Sequence, residues 1–115
     1  MLAMDMSEQE LQSVYQAAAE AFELNADELR HSRMKDFNLC LARFAITAYL
    51  RSQYRYSYTQ LCRLQNLSSH KSINYRITAY DNLMDTDWRY RATVKEFVRR
   101  ATTARRVKEK QQKNK

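Results

Sequence analysis

The 115-residue chain contains no glycine and no proline. Without glycine, tight hairpin turns lose the residue that supplies positive φ, and phosphate-cradling glycine loops and dinucleotide fingerprints are excluded. Every helix must also stop without a glycine cap, so asparagine and other polar residues must serve. Cysteine is scarce as well. Cys40 and Cys62 show no CxxC spacing, and no histidine stands at metal-ligand spacing. Both cysteines read as small buried apolar residues, and no metal or cofactor is expected. No apolar run approaches the ~20 residues of a membrane span, and the opening MLAMDM is too short and too acidic for a signal peptide. The expectation is a cytoplasmic protein with no membrane partner. Acids are sparse beyond one end. Residues 1–32 carry seven acids and one base, a net −6, whereas residues 33–115 carry nineteen bases and six acids, a net +13. A basic body with one acidic end is an electrostatic footprint of nucleic-acid binding, although a solvated surface can have the same balance.

Helical periodicity is what the chain does have. Its length suits one domain, and 44% hydrophobic content can build a core without disulfides or metal. The fold class expected is all-α: about six helices in a compact bundle containing a helix-turn-helix. Ser7 to Glu10 forms a capping-box pattern, and Leu11, Val14, Tyr15, Ala18 and Phe22 follow at helical spacing. Asn25 caps a short helix to about His31, a histidine that reads as a surface or helix-end residue. Residues 32–36 read as a basic loop. Asp36 or Phe37 then starts a long helix to about Tyr54, apolar nearly all round from Phe37 to Leu50 and therefore central, with Arg43 and Arg51 as its exposed bases. Ser57 caps a helix to about Leu64. Residues 65–68 turn, and Ser69 caps a helix to about Met84 whose inner stripe is Ile73, Ile77, Tyr80 and Met84. Asp85 to Asp87 breaks it, and a last helix starts near Trp88, burying Trp88, Val94, Phe97, Val98 and Ala101. The organisation expected is a flexible segment over 1–6, one helical domain over 7–104, and a basic disordered tail over 105–115.

The helices 58–64 and 69–84, joined by four residues, have helix-turn-helix dimensions, although many bundles contain such a pair. The outer face of the second helix is more specific. His70, Lys71, Asn74, Tyr75 and Thr78 lie away from the apolar stripe. Each can meet base edges or phosphate oxygens, and none is acidic. An ordinary solvated face would mix both signs. Tyr54, Tyr56 and Tyr58 alternate across a helix break, so they read as packing or phosphate-contacting residues rather than a base-stacking platform. No carboxylate pair, Ser/His/Asp set or activated cysteine suggests catalysis, so neither an enzyme nor a small-molecule substrate is expected.

Over roughly residues 11–98 the chain resembles the C-terminal DNA-binding domain of the bacterial replication initiator DnaA, in the Trp-repressor-like helix-turn-helix superfamily. Residues 22–29, FELNADEL, resemble the family's FGISVEDL-like segment. Residues 32–43, SRMKDFNLCLAR, resemble its basic loop and the start of its long helix. Residues 57–62, SYTQLC, stand for SLPEIG, and residues 69–75, SHKSINY, for DHTTVLH. The resemblance implies base reading in the major groove by Ser69, His70, Lys71 and Ser72. It implies minor-groove entry by Lys35 or its neighbour Arg33, and phosphate contact by Arg51 and around Tyr58 and Thr59. Here Ser69 replaces the family's aspartate, Lys71 a threonine, and Asn66-Leu67-Ser68 its Gly-Gly-Arg turn. The Walker A motif of the family's ATPase domain does not occur in the chain. The function expected is therefore a sequence-preferring double-stranded DNA-binding module for replication or transcription regulation. Phosphate would be anchored by Arg43, Arg51, Lys71 and the tail, and bases read by His70, Lys71 and Asn74. The alternative is a protein-interaction module that docks a partner through the acidic first helix. RNA binding ranks third, because A-form major grooves exclude side chains.

Overall fold

Each helix of the chain starts under a side-chain oxygen that stands just before it. The structure, a computed structural model, describes residues 6–113, with side chains through residue 107. Among them are six helices and no strand: α1 (Glu8–Phe22), α2 (Ala26–His31), α3 (Phe37–Tyr54), α4 (Tyr58–Gln65), α5 (His70–Thr86) and α6 (Trp88–Lys113). The caps are Ser7, Asn25, Asp36, Ser57, Ser69 and Asp87, each accepting from a backbone N–H in the first turn. Ser57 and Gln60 complete a reciprocal capping box on α4. At Ser7 the hydroxyl accepts from the Glu10 N–H and meets the Glu10 carboxylate at 3.4 Å.

Helix ends are closed without glycine by three left-handed residues: Glu23, Arg55 and Asn66 at φ of 58°, 55° and 54°. After Glu23 the Leu24 N–H donates to Ala19 O, and after Asn66 the Leu67 N–H donates to Cys62 O, both at 2.8 Å. These bonds satisfy carbonyls that the helices leave orphaned and turn Leu24 and Leu67 back onto the core.

α3 is the central helix, as its all-round apolar pattern predicts. Its buried residues are Leu39, Ala42, Ala45, Ile46, Thr47, Tyr49 and Leu50. α1 lies along α6 and also meets α2 and α3, while α5 packs on α3, α4 and α6. Three consecutive buried alanines on α1, Ala17 to Ala19, allow close approach to its neighbours. A guanidinium clasp closes that contact. Arg100 donates to Glu20 on α1 at 2.9 Å and to Glu96 one turn back at 2.7 Å. Arg99 holds the same Glu96 with two bonds, which with Arg100 push its pKa down to about 2.

Four expectations change. Trp88 is not core: it is 66% exposed. The buried stripe of α6 is Tyr90, Val94, Phe97 and Ala101, and Trp88 lies ~200° around the helix from Tyr90. Tyr90 fills the expected place. Its ring meets Phe22 and Tyr80, and its hydroxyl donates to Leu41 O at 2.8 Å. Phe37, the first residue of α3, is 73% exposed rather than part of the core, and Cys40 is half-buried while Cys62 is buried. α6 also continues as helix to Lys113, through most of the stretch where composition predicted a disordered tail. Alanine, arginine, lysine and glutamine are strong helix formers, no breaker interrupts them, and Arg105 still reaches the core edge over the Tyr54 ring at 4.8 Å. Residues 1–5 and 114–115, part of the expected flexible segment and tail, lie outside the described residues.

Tyr90→Ala should cost about 3 kcal/mol or more in denaturant unfolding, against ~0.5 kcal/mol or less for Trp88→Ala; equal costs would return Trp88 to the core. Because the Glu96 pKa is depressed from 4.5 to about 2, its stabilising contribution is complete above pH 4.5 and is lost as pH falls toward 2. Glu96→Gln should therefore lower the melting temperature at neutral pH and flatten its decline across that acid window, read by circular dichroism.

Candidate nucleic-acid interface

The relation between α4 and α5 depends on a polar node inside the molecule. Gln65, the last residue of α4, places its side-chain oxygen 2.6 Å from the Thr47 hydroxyl on α3 and accepts from the Arg76 guanidinium on α5 at 2.7 Å. The Thr47 hydroxyl is fully buried and also lies 2.9 Å from Arg43 O. Burial lowers the Arg76 pKa, but a guanidinium stays charged, so Gln65 solvates a half-buried cation. Three helices thus meet at one amide. Sequence reading missed this node. Its signal was an arginine three residues after Ile73, at the edge of the apolar stripe of α5.

On the outer side, α4 and α5 form a concavity of about 470 Å³ lined by Tyr58, His70, Lys71, Asn74, Tyr75 and Thr78. Ser69 caps α5 by accepting the Lys71 N–H at 3.1 Å, which places His70 and Lys71 in the first turn. His70 Nε2 lies 3.1 Å from the Thr59 hydroxyl, and the ring stands edge-on to Tyr58 at 5.9 Å. The Arg51 guanidinium sits 5.2 Å over the other partner of that contact, the Tyr58 ring, and donates to Tyr56 O at 2.6 Å. Tyr75 is 66% exposed, its ring edge against Phe44 of α3. Lys71 is the one charged side chain among the lining residues, and none is acidic.

The sequence candidates therefore separate into groups. Tyr58, His70, Lys71, Asn74 and Tyr75 come together around one surface, with Thr59 and Arg51 holding its α4 side. Ser69 is occupied as a cap, and Ser72 is half-buried outside the lining. Arg33 and Lys35 are exposed on the 32–36 loop, apart from the concavity. Arg43 is a correction. Its guanidinium, expected to be exposed and to anchor phosphate, donates to Leu29 O, Met34 O, Glu28 O and Ser32 O at 2.6–3.2 Å. Four of its five donors are spent on the C-terminal end of α2 and on the basic loop, because a helix end without glycine leaves carbonyls that need a partner. The buried Tyr56 is stacked under Tyr54 at 5.5 Å, so these two tyrosines serve packing.

Two of the three acids of α1 pair within the chain, Glu8 with Arg30 and Glu20 with Arg100, while the Glu10 carboxylate meets only the Ser7 hydroxyl among the contacts described. Arg30 also donates to Gln12 at 2.7 Å and lies over the Tyr15 ring. Among the described residues, no group of histidine, cysteine, aspartate and glutamate is suited to a metal, and no helix is long and apolar enough to cross a membrane. Comparison of the chain with protein-family models, curated proteins and solved structures finds no match.

Removing the guanidinium in Arg43→Ala should destabilise the fold by about 2–4 kcal/mol. It should also speed hydrogen exchange at Ser32 and Met34, whose N–H groups are bonded inside the clamped segment. Arg43→Lys should not rescue it, since one ammonium cannot span four carbonyls. Unchanged exchange in both variants would mean that Arg43 does not hold the loop.

Proposed function

We propose that the chain is a sequence-preferring double-stranded DNA-binding module, with α4 and α5 acting as a helix-turn-helix and α5 as the reading helix. The observation that carries this reading is the outer face of α5. His70, Lys71, Asn74 and Tyr75 surround one acid-free concavity at the N-terminal end of a helix that is locked to its neighbours by the Gln65 node. A helix N-terminus carries partial positive charge, and its first turns are where a reading helix meets base edges. Lysine suits guanine O6 and N7, and asparagine suits adenine N6 and N7. Arg51, exposed beside Tyr58, Lys71 and the bases of α6 supply phosphate contacts. Arg33 and Lys35 supply charge to an adjacent groove.

The role that fits is replication or transcription regulation in the cytoplasm, like the initiator domain that the chain resembles but without ATPase chemistry or any catalysis of its own. With Ser69 and Lys71 in place of two residues that the resemblance puts on bases, the preferred site differs from the standard initiator box. The internal pairing of Glu8 and Glu20 weakens the case for a protein partner on α1.

Mobility shifts on duplex DNA at increasing salt should give a log–log slope of roughly −4 to −5, for about five phosphates neutralised. No binding at low salt, or a slope near zero, rejects the reading. In selections from a random duplex pool, Lys71→Ala and Asn74→Ala should each relax one or two positions of the site, at ~1–3 kcal/mol per lost base contact. Should both select the wild-type consensus with unchanged affinity, α5 is not the reader.

A further inference from the structure

Met34 and Phe37 are the most exposed large hydrophobic residues described, at 70% and 73%. Neither belongs to the core or to the concavity on α5. Met34 stands between Arg33 and Lys35, both exposed. We propose that Met34 and Phe37 form an apolar wedge that enters between stacked base pairs of a bound duplex, from the minor-groove side, and kinks it. This rests on the DNA-binding reading above and adds a deformation of the DNA to it.

The first support is the mount. The backbone on each side of the wedge is fixed. Met34 O accepts from Arg43 at 3.1 Å, and the Met34 N–H donates to the Ser32 hydroxyl at 3.1 Å. Asp36 caps α3 through the N–H groups of Asn38 and Leu39, which sets Phe37 as the first helical residue. An apolar tip on a rigid base inserts without the ordering cost that a floppy loop would incur.

The second support is place. Phe37 and Phe44 are seven residues apart on α3, so they share one face, ~10 Å apart along the axis. The Phe44 ring touches Tyr75 at 5.8 Å. Phe37 therefore lies on the face of α3 that meets α5, about two helical turns along α3 from that contact. With α5 in a major groove, the 32–37 segment faces the neighbouring groove.

The third support is chemistry. Arg33 and Lys35 flank the apolar tip, and the one acid of the segment, Asp36, is turned to its own backbone as a cap. That combination matches a phosphate-lined groove. Two side chains expose far less than the ~800 Å² per partner of a stable protein interface. Phenylalanine and methionine are among the residues that unstack base steps, and such wedges bend the duplex by tens of degrees.

The test uses the full chain and the duplex it selects from a random pool, end-labelled for energy transfer and carrying an adenine analogue that brightens when unstacked. Wild type should shorten the end-to-end distance and brighten the analogue at one step. Met34→Ser/Phe37→Ser, both exposed and so compatible with folding by circular dichroism, should still bind, with affinity reduced about tenfold or less. It should leave the duplex straight and the analogue dark. Arg33→Ala should instead lower the salt slope by about one and keep the brightening. Duplex binding by wild type with no brightening and no shortening overturns the wedge and leaves the DNA-binding reading standing. Brightening retained in the double variant also overturns the wedge. Failure of wild type to bind any duplex removes both. If sedimentation shows self-association that the double variant abolishes, with the DNA unbent, the patch is a contact between copies and the wedge is wrong.

Discussion

Side-chain caps are the constraint on which this fold depends. A chain without glycine or proline cannot stop or start a helix by backbone permissiveness, so Ser7, Asn25, Asp36, Ser57, Ser69 and Asp87 each supply an oxygen to orphaned N–H groups. Each such cap contributes ~1 kcal/mol. Six of them are comparable with the ~5–15 kcal/mol net stability of a whole domain. At the other ends Glu23, Arg55 and Asn66 accept left-handed backbone at a cost of about 1–2 kcal/mol each for a residue with a Cβ. The Leu24 and Leu67 contacts with the core, and the bonds that place them, offset that strain. Helix boundaries are sharp for this reason, and so the faces that the helices present are well determined.

Arginine does two opposed jobs in the molecule. Arg43 and Arg76 are structural cations: one gathers the carbonyls at the end of α2 and the basic loop, the other charges the interior beside Gln65. Arg30 and Arg100 take up two acids of α1. The steep charge asymmetry along the chain is thus partly spent in folding. Exposed bases include Arg33, Lys35, Arg51, Arg55, Arg63, Lys71 and several residues of α6. This sorting gives the proposed interface its shape. Arg43 is occupied within the fold, and it sets the loop that the proposal places on DNA.

Much of the architecture was legible because caps and stripes are local. A serine and the N–H three residues later, or apolar residues at i, i+3 and i+4, are neighbours on any helix, whatever the rest of the chain does. The helix starts at Ser7, Asn25, Ser57 and Ser69 and the central place of α3 follow from such pairs, whereas the caps Asp36 and Asp87 became visible only in the structure. The outer face of α5 follows too, since Lys71 and Tyr75 lie across the helix from the fully buried Ile73, with His70 and Asn74 exposed at its flank. Local pattern misjudged Phe37 and Trp88, each the first residue of its helix, where no preceding turn fixes which way a large ring faces.

What the sequence by itself determined, then, is the all-helical class, most of the helix starts and the acid-free face of α5. The tertiary structure decided the partners of the polar side chains, because those partners are far away along the chain. The carbonyls that engage Arg43 are 9 to 15 residues off, Gln65 and Thr47 are 18 apart, Tyr90 reaches Leu41 across 49, and Arg100 reaches Glu20 across 80. No periodicity encodes such pairs. An arginine at a helix surface position looks the same in sequence whether it faces solvent, a phosphate or its own backbone, and only the packing of α2, α3, α4 and α5 shows which of these it meets.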